Sequence, residues 1–127
     1  DDFTEIQKLI LDCIFSRSYD GFERQKRVKN MIKSSIDFSA IYVLSLIGDY
    51  VLEILLEIRK GILEKNLPIY KSIIDQNSKY WKSIKSRNNS YWNEYYRRQY
   101  FSEYNKYVGN EIIEIIEGRK NLTTAST

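Results

Sequence analysis

Apolar residues recur at three- and four-residue spacing through most of the chain, the period of a helix buried along one side. Near the amino terminus Phe3, Ile6, Leu9, Ile10, Cys13 and Ile14 fall on one stripe and predict a first helix. The stretch 16–21 carries turn chemistry, because Asp20 and Gly21 suit the backbone angles that end one helix and begin the next. A second helix is expected over about 22–35, with Val28, Met31 and Ile32 inward and Arg24, Lys26, Arg27, Lys29 and Lys33 over the rest, as on a basic surface helix. Asp37 is a candidate N-cap, since its carboxylate can accept the unpaired amide protons of a following turn. From 38 to about 65, Ile41, Tyr42, Val43, Leu44, Leu46, Ile47, Tyr50 and Val51 leave almost no polar face. One long, central, buried helix is the expectation there, with Gly48 and Gly61 each marking a bend or a close helix crossing.

Pro68 disfavours helix at the residue before it and suits the first turn of a new one, so a helical hairpin is predicted around it. The fourth helix is expected over 68–86, with Ile69, Ile73, Tyr80 and Ile84 near one face. Arg87-Asn88-Asn89-Ser90 is the next predicted break, and a fifth helix then runs to about Val108. Gly109 and Asn110 are expected to end it before a short sixth helix over 111–118. The pattern predicts an all-α fold: an antiparallel bundle of five to six helices around the apolar stretch 41–56, in one domain over 1–120, with a flexible polar tail over 121–127. Stacked helical hairpins, as in a fragment of an α-solenoid, are the alternative, and no repeat period is visible to favour them.

Composition narrows this further. One proline and five glycines are too little punctuation for the turns of a sandwich or barrel. With 43% hydrophobic and 29% charged residues, the chain has enough apolar material to fold. The longest uncharged run of its apolar middle, 38–48, is too short to span a bilayer, which needs about 20 residues. No basic stretch followed by an apolar run opens the sequence, so no signal peptide is expected in it. A single cysteine excludes an intramolecular disulfide framework and points to an intracellular, reducing compartment.

Candidate chemistry is sparse. The sequence has no histidine, which removes the commonest general base, the commonest metal ligand and every histidine-dependent triad. It has neither the cysteine or histidine clusters of zinc sites nor a glycine-rich phosphate loop. Cys13 sits mid-helix on the apolar stripe, where a thiol is desolvated and inert. Glu53 with Glu57, and Glu111, Glu114 and Glu117, share helix faces and read as solvated charges. The glycosylation triplets beginning at Asn88 and Asn121 lack a secretory context. No enzymatic activity, cofactor, metal or small-molecule substrate is expected.

The informative segment is 80–107, which holds seven of the eleven tyrosines, both tryptophans and Phe101. On a helix, Tyr91, Trp92, Tyr95, Tyr96, Tyr100, Phe101, Tyr104 and Tyr107 would cover most of the circumference, more than one packing face hides. Around them lie Lys79, Lys82, Lys85, Arg87, Arg97, Arg98 and Lys106 against only Glu94 and Glu103. Rings beside cations suit a thick core, a protein interface, or nucleic acid stacked on the rings with its phosphates neutralised. The leading expectation is a protein-protein interaction or assembly module, self-association included, that uses Tyr91, Trp92, Tyr95, Tyr96, Arg97, Arg98, Tyr100 and Tyr104. The alternative is a nucleic-acid-binding or coat-like protein that adds Arg24, Lys26, Arg27, Lys29, Lys82, Lys85 and Arg87 as polyanion contacts, which the net charge of +3 permits without demanding.

Overall fold

The computed structural model describes residues 4–33 and 37–122, and every regular element among them is helical. Seven α-helices follow one another: α1 Glu5–Phe15, α2 Gly21–Lys33, α3 Asp37–Leu46, α4 Leu52–Gly61, α5 Leu67–Gln76, α6 Ser78–Tyr91 and α7 Val108–Ile116. A π-helical turn, Trp92–Tyr96, continues α6, and short 3₁₀ turns at Glu64–Asn66 and Tyr104–Lys106 lead into α5 and α7.

α1 starts on a capping box in which the Thr4 hydroxyl accepts the Gln7 amide proton and the Gln7 side chain accepts that of Thr4. Its apolar stripe is divided. Leu9 and Cys13 are buried, whereas Ile6, Ile10 and Ile14 stay exposed, because α1 packs chiefly on α2 and α3 and its other side is left uncovered by the described residues. Phe3 lies outside the described residues. α2 begins where Asp20 accepts the Phe22 amide proton at 3.0 Å, and it buries Val28, Met31 and Ile32 as the spacing predicts.

The long central helix expected from 38 to 65 is two helices. The amides of Ile47, Gly48 and Asp49 bond three residues back, to Leu44, Ser45 and Leu46, which tightens and ends α3. Asp49 then accepts the Val51 amide proton at 2.9 Å and turns the chain toward α4. Arg24 holds that turn, donating to Asp49 at 2.7 and 3.1 Å and to the Ser18 carbonyl at 2.9 Å. Gly48 therefore marks the break. Gly61 marks a close crossing, since a Cβ there would stand 2.5 Å from Ile32 Cγ2 where α4 lies on α2.

Pro68 sits in the first turn of α5, as predicted, but α5 packs chiefly on α3 instead of forming a hairpin with α4. The predicted helix over 68–86 breaks at Asn77, whose side chain donates to the Ile73 carbonyl at 2.8 Å. α6 then runs straight through the Arg87–Ser90 stretch read as a break, because Asn88 faces inward there and is fully buried. α7 starts at Val108, earlier than expected, with Gly109 and Asn110 inside its first turn. A Cβ on Gly109 would overlap the Asn88 side-chain amide, so only glycine fits. α7 packs on α4, α5 and α6 and buries Val108, Ile112, Ile113, Ile115 and Ile116. Leu122 packs partly buried against the core, and Arg59 donates to its carbonyl at 3.0 Å. The rest of the tail, 123–127, lies outside the described residues.

Candidate interaction surface

The aromatic segment is not one helix studded with rings. α6 buries Trp81, Ile84 and Asn88 at helical spacing, the π turn carries that inward line on to Trp92 and Tyr96, and the chain then folds back. The Trp92 indole donates to the Phe101 carbonyl at 2.7 Å and fixes the return. Tyr104 donates to Asn88 Oδ1 at 2.7 Å, while Asn88 donates to the Ile47 carbonyl at 2.9 Å, so one buried amide joins α6 to the end of α3. Tyr96 donates to the Tyr50 carbonyl and accepts the Leu52 amide proton at 3.2 Å, bracing the α3–α4 turn. Tyr107 is fully buried and stacks on Tyr96 with ring centroids 5.6 Å apart. Burial pushes the Tyr104 hydroxyl up to about 12 and that of Tyr107 higher still. Trp92, Tyr96, Phe101, Tyr104 and Tyr107 are thus core groups in whole or part.

The remaining rings face outward, and the half-buried Tyr96 links them into one strip. Tyr50, Tyr91 and Tyr95 form a triangle with centroids 5.7, 5.9 and 6.0 Å apart. Tyr95 continues to Tyr96 at 6.4 Å, and Tyr96 to Tyr100 at 6.3 Å. Tyr50, Tyr95 and Tyr100 are 45%, 55% and 67% exposed. Arg98 and Glu94 are exposed beside this strip, and Arg97 lies over the Trp92 ring, 5.5 Å from its centroid. Of the residues named from sequence, Tyr91, Tyr95, Tyr96 and Tyr100 are brought into the strip, whereas Trp92 and Tyr104 belong to the inward set. Tyr50 was missed because it was assigned to a buried helix; its place directly after Gly48-Asp49, a turn pair, was the available signal. Tyr19 and Phe22, 97% and 84% exposed, were missed too and line an open depression of about 470 Å³ with Val51.

The basic residues divide similarly. Arg24 is buried on Asp49, with its guanidinium 5.5 Å from the Tyr50 ring centroid, and Arg27 is held by Asp12 at 3.0 Å and Glu23 at 2.8 Å. Lys85 pairs with Glu117 at 2.8 Å. Those three are occupied internally, so α2 is not the open basic helix expected. Lys26, Lys29, Lys82 and Arg87 stay exposed.

Nor are the carboxylates of α7 free solvated charges. Glu111 pairs with Arg59 at 2.7 Å, and Glu114 accepts from Asn110 at 2.8 Å. Glu117 accepts from the Trp81 indole and Lys85, each at 2.8 Å, and from Arg119 at 2.7 Å. Burial alone would raise the Glu117 carboxyl, but these donors outweigh it and bring it down to about 2. The Cys13 thiol is buried, and burial with the adjacent Asp12 raises it to about 11. Asn88, first residue of a glycosylation triplet, is enclosed on all sides. Among the described residues no three His, Cys, Asp or Glu side chains are grouped to hold a metal, and no helix is long and apolar enough to cross a membrane.

Comparison of this chain with models of known protein families, with curated proteins and with solved structures finds no match in any of the three.

Proposed function

We propose that this chain is a non-catalytic protein-binding module whose contact surface is the tyrosine strip, with a second copy of the chain as the first partner. The observation that carries this reading is the run of ring contacts from half-buried Tyr91 through exposed Tyr50 and Tyr95 and, by way of the half-buried Tyr96, to exposed Tyr100, beside the buried aromatic core. Tyrosines give large contact area at low cost in side-chain entropy, and they dominate interface hot spots. The strip also carries its own complementary charges, Glu94 and Arg98, both exposed and without an ion-pair partner among the described residues. An isologous contact, in which a patch meets itself, requires both signs on one surface. Against catalysis stand the lack of histidine, the enclosed thiol and the ion-paired carboxylates of α7. We read the architecture as a closed bundle around α3: contacts of α7 with α4 and α5 bring the chain back onto its middle, which a linear stack of hairpins does not require.

Nucleic acid is the less favoured partner, because three of its seven expected cations are taken up by Asp49, Asp12 with Glu23, and Glu117. Light scattering coupled to size exclusion, at low and high salt and with a single-stranded oligonucleotide, separates the two. A dimer or larger species that survives high salt and ignores the oligonucleotide is expected. A monomer that shifts only with oligonucleotide at low salt overturns the reading, since phosphate contacts weaken steeply with salt.

A further inference from the structure

Arg24, Arg27, Arg59 and Arg119 each have a carboxylate partner within the chain. Arg17 and Arg87 have none among the described residues, and both line one cleft of about 410 Å³ at the carboxyl-terminal ends of α1 and α3. Its other walls include Ser16, Ser45, Tyr42 and Tyr80, and among the described residues no Asp or Glu lines it. A continuation of about 300 Å³, again lined by Arg17 and Arg87, contains Asp49, already neutralised by Arg24. The helix ends contribute roughly half a negative charge each, which two full guanidinium charges exceed, so the cleft is left positive. Arg87 is set by the backbone beneath it: its Nε lies where a Cβ on Gly48 would come within 2.9 Å.

We propose that this cleft binds a phosphate monoester carrying a planar ring, of nucleoside-monophosphate size. Two guanidinium forks match the dianionic phosphate, Ser45 lines the same wall beside Ser16, whose hydroxyl donates to the Cys13 carbonyl at 2.6 Å, and the rings of Tyr42 and Tyr80 offer a flat apolar surface to the remainder of the ligand. The volume falls within the roughly 300–1,000 Å³ of small-molecule sites. The proposal is independent of the role of Tyr95 and Tyr100, which do not line the cleft.

Isothermal titration with AMP, adenosine and inorganic phosphate tests it, with far-UV circular dichroism on each variant. Saturable AMP binding is expected, with adenosine and inorganic phosphate each weaker. Arg17→Gln and Arg87→Gln should each weaken AMP at least about tenfold. Gly48→Ala, which pushes Arg87 aside without removing a charge, should weaken it as well, while Lys60→Gln on the exposed side of α4 should not. No saturable AMP binding, or an affinity unchanged in both arginine variants, overturns the site. Adenosine binding as tightly as AMP overturns the anionic assignment, and phosphate binding as tightly as AMP overturns the ring.

Discussion

Two tyrosines one turn apart show how differently the same side chain behaves once its surroundings are fixed. Tyr104 gives its proton to Asn88, whereas the Tyr107 hydroxyl is buried with no hydrogen-bond partner among the described residues. A buried donor left unmade costs more than a made bond returns, so removing it should help. Tyr107→Phe is expected to leave stability unchanged or raise it by about 1 kcal/mol, and Tyr104→Phe to lower it by about 1 kcal/mol or more, as the Asn88 amide oxygen loses its partner. Urea unfolding of the two variants beside the parent measures the contrast, and a loss of similar size for both would refute it. At this scale the sequence was legible in part. It placed Cys13, Val28, Met31, Ile32 and Ile84 inside on spacing alone, and they are inside. It had no means of separating Tyr95 from Tyr96, because that difference depends on which side of a π turn each ring leaves the chain.

Between elements, α7 is tied down by the carboxylates read from sequence as solvated. Glu117 at its end takes donors from Trp81 and Lys85 of α6, and its carboxyl falls from the ordinary value of 4.5 to about 2. A folded-state value below the unfolded one means stability present above about 4.5 and lost as pH falls toward about 2. Glu117→Gln should therefore destabilise the protein at neutral pH, and the gap between parent and variant should close as pH approaches about 2. Thermal unfolding across that range reads it directly; a gap independent of pH would mean that the packing of the side chain, not its charge, is what matters. Element boundaries were less legible than element types. Helix period, Asp20 and Pro68 located several starts, yet the α3–α4 break was missed because it depends on Arg24 reaching Asp49 across 25 positions of sequence. The Arg87–Ser90 stretch was misread for the opposite reason. Asn and Ser favour turns by bonding to their own backbone, but the Asn88 amide is used up on Ile47 and Tyr104, so the local preference does not decide.

For the whole molecule, the aromatic segment has two tasks divided by direction. Trp92, Tyr96, Phe101, Tyr104 and Tyr107 close the α6–α7 connection over the core. Tyr91, Tyr95 and Tyr100 remain at or near the surface, with Tyr50 from the α3–α4 turn against Tyr91 and Tyr95, and Tyr96 linking Tyr95 to Tyr100. Composition alone flagged the segment and could not divide it, since a count of rings carries no information about where the chain reverses. A second apolar surface competes for the same role: the outer side of α1, with Ile6, Ile10 and Ile14 one turn apart. It is made of three aliphatic side chains on one helix, whereas the strip joins rings from two parts of the chain. The two surfaces make opposite demands on a single measurement, oxidative footprinting of the protein at concentrations below and above its association. The account predicts protection of Tyr50, Tyr95 and Tyr100 in the associated state with Ile6, Ile10 and Ile14 unchanged; protection of the three isoleucines with the tyrosines still open to oxidation would contradict it.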